Sequence, residues 1–189
     1  MTTVAIPAWN ALGLLPPIDA EAPASSKRSP YPVSLLDVVR RFSSSPERQA
    51  ILLGFLAYRQ ALHDVGVVSG FQWLDGSFFE HVELLEQRPP RDIDVVSFFR
   101  VPEGVSQQEL LLRNPELFRQ PTVKERFSVD GYLVHLGKSS ERLVTESAYW
   151  YSMWSHRRNQ AWKGFVQVDL APGQDADALG WLQQQGEFA

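Results

Sequence analysis

The chain has 189 residues, 44% hydrophobic and 21% charged, with 18 Lys and Arg against 22 Asp and Glu and no cysteine. This composition suits one globular domain with a real core and excludes disulfide scaffolds and thiolate metal sites. A net charge of −4 argues against bulk coating of nucleic acid, which calls for a strongly basic surface, and no apolar run reaches the roughly 18 residues a membrane span needs.

Residues 1–10 combine neither a basic segment nor a long apolar run, which predicts no secretory signal. A cytoplasmic address is compatible with the missing cysteines. Residues 1–33 contain Pro7, Pro16, Pro17, Pro23, Pro30 and Pro32. Proline removes backbone donors and blocks regular structure, so this stretch reads as an extended arm. Ile6, Trp9, Leu12, Leu14 and Leu15 give it apolar groups with which to pack, and residues 21–29 are its most mobile part in this reading.

The domain proper is expected over 34–189. Residues 34–42 read as a short helix. Ser45-Pro46-Glu47 then supplies a cap, a proline at the first helical position and an acid in the first turn. Ile51, Leu52, Phe55, Leu56 and Leu62 recur at helical spacing, which predicts a core helix over 46–64, ended by Gly66. Residues 71–74 read as a strand, 78–87 as a helical turn closed by Pro89-Pro90, and 92–99 as a second strand. A capped helix over 106–113, a strand over 127–136, a long helix over 139–158, a strand over 165–170 and a short helix over 175–185 complete the chain.

The chemistry concentrates at Asp75-Gly76-Ser77 and Asp92-Ile93-Asp94. Side chains on a strand alternate faces, so Asp92 and Asp94 share one face while Ile93 and Val95 enter the core. Adjacent carboxylates repel unless a positive charge stands between them. Hard oxygen donors suit magnesium or manganese, and such ions also bridge nucleotide phosphates. Gly76 lets the backbone approach a ligand, and the turn offers N–H groups to phosphate oxygens, with the Ser77 hydroxyl beside them.

A hydrophobic strand, Gly-Ser, a helical spacer and Asp-hydrophobic-Asp resembles the polymerase-beta-like nucleotidyltransferase superfamily. The flanking segments Ile6-Pro7-Ala8-Trp9-Asn10, Gly13-Leu14-Leu15-Pro16-Pro17 and Lys163-Gly164-Phe165 look closer to a small bacterial branch of it. The resemblance implies an α/β (α+β) fold with a mixed sheet flanked by helices. It also implies a third carboxylate on a later strand, a role that falls to Asp130. The implied activity is transfer of a nucleoside monophosphate from a nucleoside triphosphate to a hydroxyl of a protein, an RNA or a small molecule, with release of pyrophosphate. Small bacterial members often serve toxin–antitoxin or phage-defence modules. Asp92, Asp94 and Asp130 would be metal ligands and catalytic groups, and Gly76 and Ser77 would hold phosphates. The segment 78–91 is longer than the usual spacer and so could alter the nucleotide pocket.

Other readings stand beside these. Gly76 could simply turn the chain, with Asp75 as a local cap, and Asp130 could cap a bulge with Gly131. Gly137-Lys138-Ser139-Ser140 imitates a phosphate loop but reads better as a strand end followed by a helix cap. His63, His81, His135 and His156 show no paired metal spacing. Tyr149, Trp150 and Trp154 read as helix-to-sheet packing, with base stacking as the minority alternative. Arg157, Arg158 and Lys163 read as a solvated edge, with triphosphate or RNA binding as the lesser option. A catalytically degenerate, antitoxin-like partner-binding protein is the rival functional reading. A metal-dependent nuclease is the third, without a lysine or histidine near Asp92 and Asp94 in sequence to support it.

Overall fold

The computed structural model describes residues 2–186. The first residue of the expected arm and the last three of the expected domain lie outside that range. The strands are β1 (Tyr31–Pro32), β2 (Gly70–Asp75), β3 (Ile93–Phe99), β4 (Val129–His135) and β5 (Val166–Asp169). They form one mixed sheet in the order β1-β5-β2-β3-β4. β2 runs antiparallel to both β3 and β5, whereas β3 pairs with β4 in parallel, as β1 does with β5. The carboxyl end of β2 therefore meets the amino ends of β3, β4 and β5 at one edge of the sheet.

The helices are α1 (Leu35–Phe42), α2 (Pro46–Asp64), α3 (Val82–Glu86), α4 (Gln107–Arg113), α5 (Gln120–Phe127), α6 (Ser140–Trp154) and α7 (Asp175–Gly186). Ser34 and Ser45 cap α1 and α2, accepting from the backbone N–H of Asp37 and Arg48. Ser106 and Glu109 form a full capping box on α4. Leu74, Val95, Val129 and Val166 share a core with Phe55 and Leu62 of α2 and Leu35 and Val39 of α1. Trp73, Val96, Phe98 and Val134 project to the opposite face, where Trp154 of α6 and Phe165 cover them. This is the mixed α/β architecture of a sheet between helical layers.

Several elements depart from the sequence reading. α5 was not expected; among its residues Val123 and Phe127 are the buried ones, too few to make a visible periodicity. It takes Phe127 from the predicted third strand, which begins at Val129. α6 stops at Trp154 rather than continuing to residue 158, because Ser155–Lys163 turns back through a bridge between His156 and Trp162.

The proline-rich arm is built into the fold. Leu14, Leu15 and Tyr31 are buried, β1 lies within it, and Ile18 bridges Arg28 across the 21–29 excursion. Trp9 donates its indole N–H to the Phe79 carbonyl at 2.8 Å and stacks on His81 with centroids 4.5 Å apart. The backbone N–H groups of His81 and Gly164 donate to the carbonyls of Gly13 and Leu15. The arm thus braces both segments that flank the site.

Candidate functional site

Gly76 ends β2 with φ of +90°, a conformation that L side chains rarely adopt. A Cβ there would stand 2.7 Å from Asp94 Oδ2, so the turn and the carboxylate are packed against each other. Ser77 opens a 3₁₀ turn, Ser77–Phe79, and α3 follows. Arg48 of α2, fully buried, holds this stretch from beneath. It donates to the carbonyls of Phe78 at 2.6 Å and Glu80 at 2.8 Å, and its Nε pairs with Glu83 at 2.5 Å. The first part of the long 78–91 spacer, from Phe78 to Glu83, is therefore held fast.

The registers place Asp75 opposite Asp94, and Asp94 opposite Asp130. Facing residues of paired strands share a face, so these three carboxylates form a row across the sheet edge. Asp92 stands just before β3. The row is unevenly neutralised. Lys163 is buried and its Nζ lies 2.8 Å from Asp75 and 3.2 Å from Glu80. Burial alone would lower its pKa, but Asp75 and Glu80 outweigh that and raise it. Lys124 of α5 bridges Asp92 and Asp130, at 2.8 Å from each. Partial burial works against ionisation of Asp130, yet hydrogen bonds from Lys124, Gln120 and Tyr132 hold its carboxyl below the usual range. Asp94 is the exception. Burial and the neighbouring Asp75, Asp92 and Asp130 push it up to about 7, only partly offset by Lys163.

Asp75, Asp92, Asp94, Lys124 and Lys163 line a cleft of about 900 Å³ together with Arg88, Arg91 and Arg157. Arg157 pairs with Glu80 at 3.0 Å and also with Glu86, tying the end of α6 to the 78–91 segment. Excess negative charge around Asp94, and hard carboxylate oxygens on Asp92, Asp94 and Asp130, fit a divalent cation chemically. As the side chains stand, no group of three acidic or histidine residues among those described is arranged to hold one; Lys124 already draws on Asp92 and Asp130. A cation entering here would have to compete with that ammonium group.

Residues 7–169 match the family described as a family of unknown function, DUF6932. The chain belongs to the DUF6932 family. No curated protein and no solved structure is similar enough to this family member to be matched. Its matched segment takes in the arm from Pro7 as well as Gly76, Ser77, Asp92, Asp94, Asp130 and Lys163, so the brace and the cleft fall within the family's common region.

Of the residues expected from sequence, Gly76, Ser77, Asp92 and Asp94 line the cleft, and Asp130 joins them through the register and Lys124. Asp75 is more than a local cap: it is buried and ion-paired at a distance of 88 residues in sequence. Lys163 is likewise no solvated edge. Lys138 belongs elsewhere; it pairs with Glu146 beyond the far end of β4. Glu80 and Lys124 gave no sequence signal, since their partners become neighbours only in the folded chain.

Proposed function

We propose that this DUF6932 protein is a metal-dependent nucleotidyltransferase that moves a nucleoside monophosphate from a nucleoside triphosphate to a hydroxyl group. The observation that carries the reading is the row of carboxylates at Asp94 and Asp130, with Asp92 beside it and the Gly76 turn packed on Asp94. Asp92, Asp94 and Asp130 would hold magnesium or manganese. Such an ion, when bound, supplies charge neutralisation on the phosphates. The Gly76–Ser77 turn contributes N–H and hydroxyl donors to phosphate oxygens. In the transfer, the acceptor oxygen bonds to the α-phosphorus, the bond to the pyrophosphate oxygen breaks, and Asp130 takes the acceptor's proton. The residues act chiefly by positioning and electrostatics, as is general for phosphoryl transfer. The acceptor is a protein hydroxyl, an RNA end or a small molecule, within a toxin–antitoxin or phage-defence setting. Nucleoside triphosphates are cytoplasmic substrates, and a cytoplasmic location goes with the reading.

One observation favours a second reading. The Lys124 bridge between Asp92 and Asp130 puts a protein cation where the metal is wanted, as expected of a catalytically degenerate, partner-binding relative. Incubation with α-labelled triphosphates and each acceptor class separates the two. The enzyme reading expects label transfer with equivalent pyrophosphate release, lost in Asp94→Asn. No release with any acceptor, beside a tight complex with one of them, would support the degenerate module.

A further inference from the structure

The cleft has a second wall of different chemistry. α6 crosses the sheet and brings Trp150, Met153 and Trp154 into the lining. Trp150, partly buried, packs against the cluster formed by Trp73, Val96, Phe98 and Trp154. Its ring lies 4.7 Å from that of Tyr132 and 5.5 Å from that of Trp154. Tyr132 follows Asp130 by two positions on β4, so both project from the same face. Tyr132 is 36% exposed and Met153 44% exposed, with Trp150 half-buried between them. The contact between the Tyr132 and Trp150 rings gives the cleft an aromatic wall. Because it shares a cleft with Gly76, Ser77 and Asp94, its partner must reach a charged site and an aromatic one together.

We propose that Trp150, backed by Tyr132, is the stacking surface for the base of a nucleoside triphosphate whose phosphates lie at the Gly76–Ser77 turn. The inference rests on the nucleotidyltransferase reading and adds the base site to it. A nucleobase has the flat π face that an indole accepts, and its phosphates match the polar end of the cleft. A volume of about 900 Å³ falls within the roughly 300–1,000 Å³ of small-molecule sites. Arg91 and Arg158 also line this cleft, both exposed. They add positive charge at its rim without belonging to the ion-paired network of Lys163, Arg157 and Lys124. Stacking reads the area of a base rather than its edge, so purine triphosphates bind more tightly than pyrimidine ones, with little difference between adenine and guanine.

The test compares magnesium–ATP with magnesium–tripolyphosphate, which lacks base and sugar, by calorimetry on the full chain. The wild type should bind ATP more tightly, by about five- to a hundredfold, the range of one stacked base. Trp150→Ala should erase that difference while leaving tripolyphosphate affinity unchanged, and Trp150→Phe should restore most of it. Retained tripolyphosphate affinity also certifies that the variant is folded. If Trp150→Ala keeps the full preference for ATP, the base site is overturned while the phosphate site stands. If neither compound binds the wild type, the base site and the nucleotidyltransferase reading fall together.

Discussion

Asp75 and Asp94 face each other across β2 and β3, yet of these two carboxylates Lys163 forms an ion pair with Asp75 and not with Asp94. The consequence is a division of labour between two carboxylates in adjacent positions. Asp75 is buried and paired, part of a charge network with Lys163 and Glu80 that fixes the end of β2. Asp94 carries charge repulsion from three neighbouring acids and is poised to accept either a proton or a cation.

In the unfolded chain Asp94 titrates near 3.9, but in the folded metal-free protein it titrates at about 7. The native state therefore binds the extra proton between those values. Its contribution to stability is full below pH 4, falls as pH rises through 7 and is flat above. The loss is on the order of a few kcal/mol. Urea denaturation from pH 4 to 8 with chelator present should show this decline in the wild type. It should be smaller in Asp94→Asn, where the part due to Asp75 remains because burial also pushes that carboxyl up, and this variant becomes the more stable protein at pH 8.

Lys163→Met leaves Asp75 and Glu80 buried without their shared cation. Breaking a buried pair from one side costs about 3–5 kcal/mol, measurable as a lower urea midpoint. Asp75→Asn added to Lys163→Met should recover part of that loss, since the unpaired charge is then removed. A double variant as unstable as the single one would mean that lysine packing, not charge pairing, matters at this position.

What the sequence makes legible depends on the range of the contacts involved. The helix over 46–64 was legible because its apolar residues repeat with the period of a helix, and the strand ending at Phe99 because it is a short, nearly continuous apolar run. Gly76-Ser77 and Asp92-x-Asp94 were legible because short motifs encode their own geometry. The rest lies in contacts between distant segments. Nothing near Lys163 announces Asp75, and nothing in the arm announces that Trp9 would stack on His81. α5 escaped notice because its exposed residues outnumber its buried ones, and with it went Lys124, whose bridge alters the reading of Asp92 and Asp130.

Lys124 competes with any cation for those two carboxylates. Its side chain is 44% exposed, so its own contribution to stability is small, about 0.2–1 kcal/mol per pair. Lys124→Ala should therefore fold normally and bind magnesium about three- to tenfold more tightly in direct titration. Weaker binding would assign the lysine a supporting part in the site.

Gly76→Ala combines a strained positive φ with a clash against Asp94 Oδ2. The backbone strain alone costs on the order of 1–3 kcal/mol. Thermal unfolding should show that loss, and magnesium–triphosphate binding should weaken by more than tenfold because the turn and Asp94 shift together. A variant with unchanged triphosphate affinity would remove the turn from the binding site.

The most direct measurement is calorimetric titration of a non-hydrolysable nucleoside triphosphate, with magnesium, into the wild type and into Asp92→Asn/Asp94→Asn. Magnesium-dependent binding is expected for the wild type and none for the double variant when both are folded. Equal binding to the two proteins would contradict this, because the triphosphate would then be held without the carboxylates at the amino end of β3.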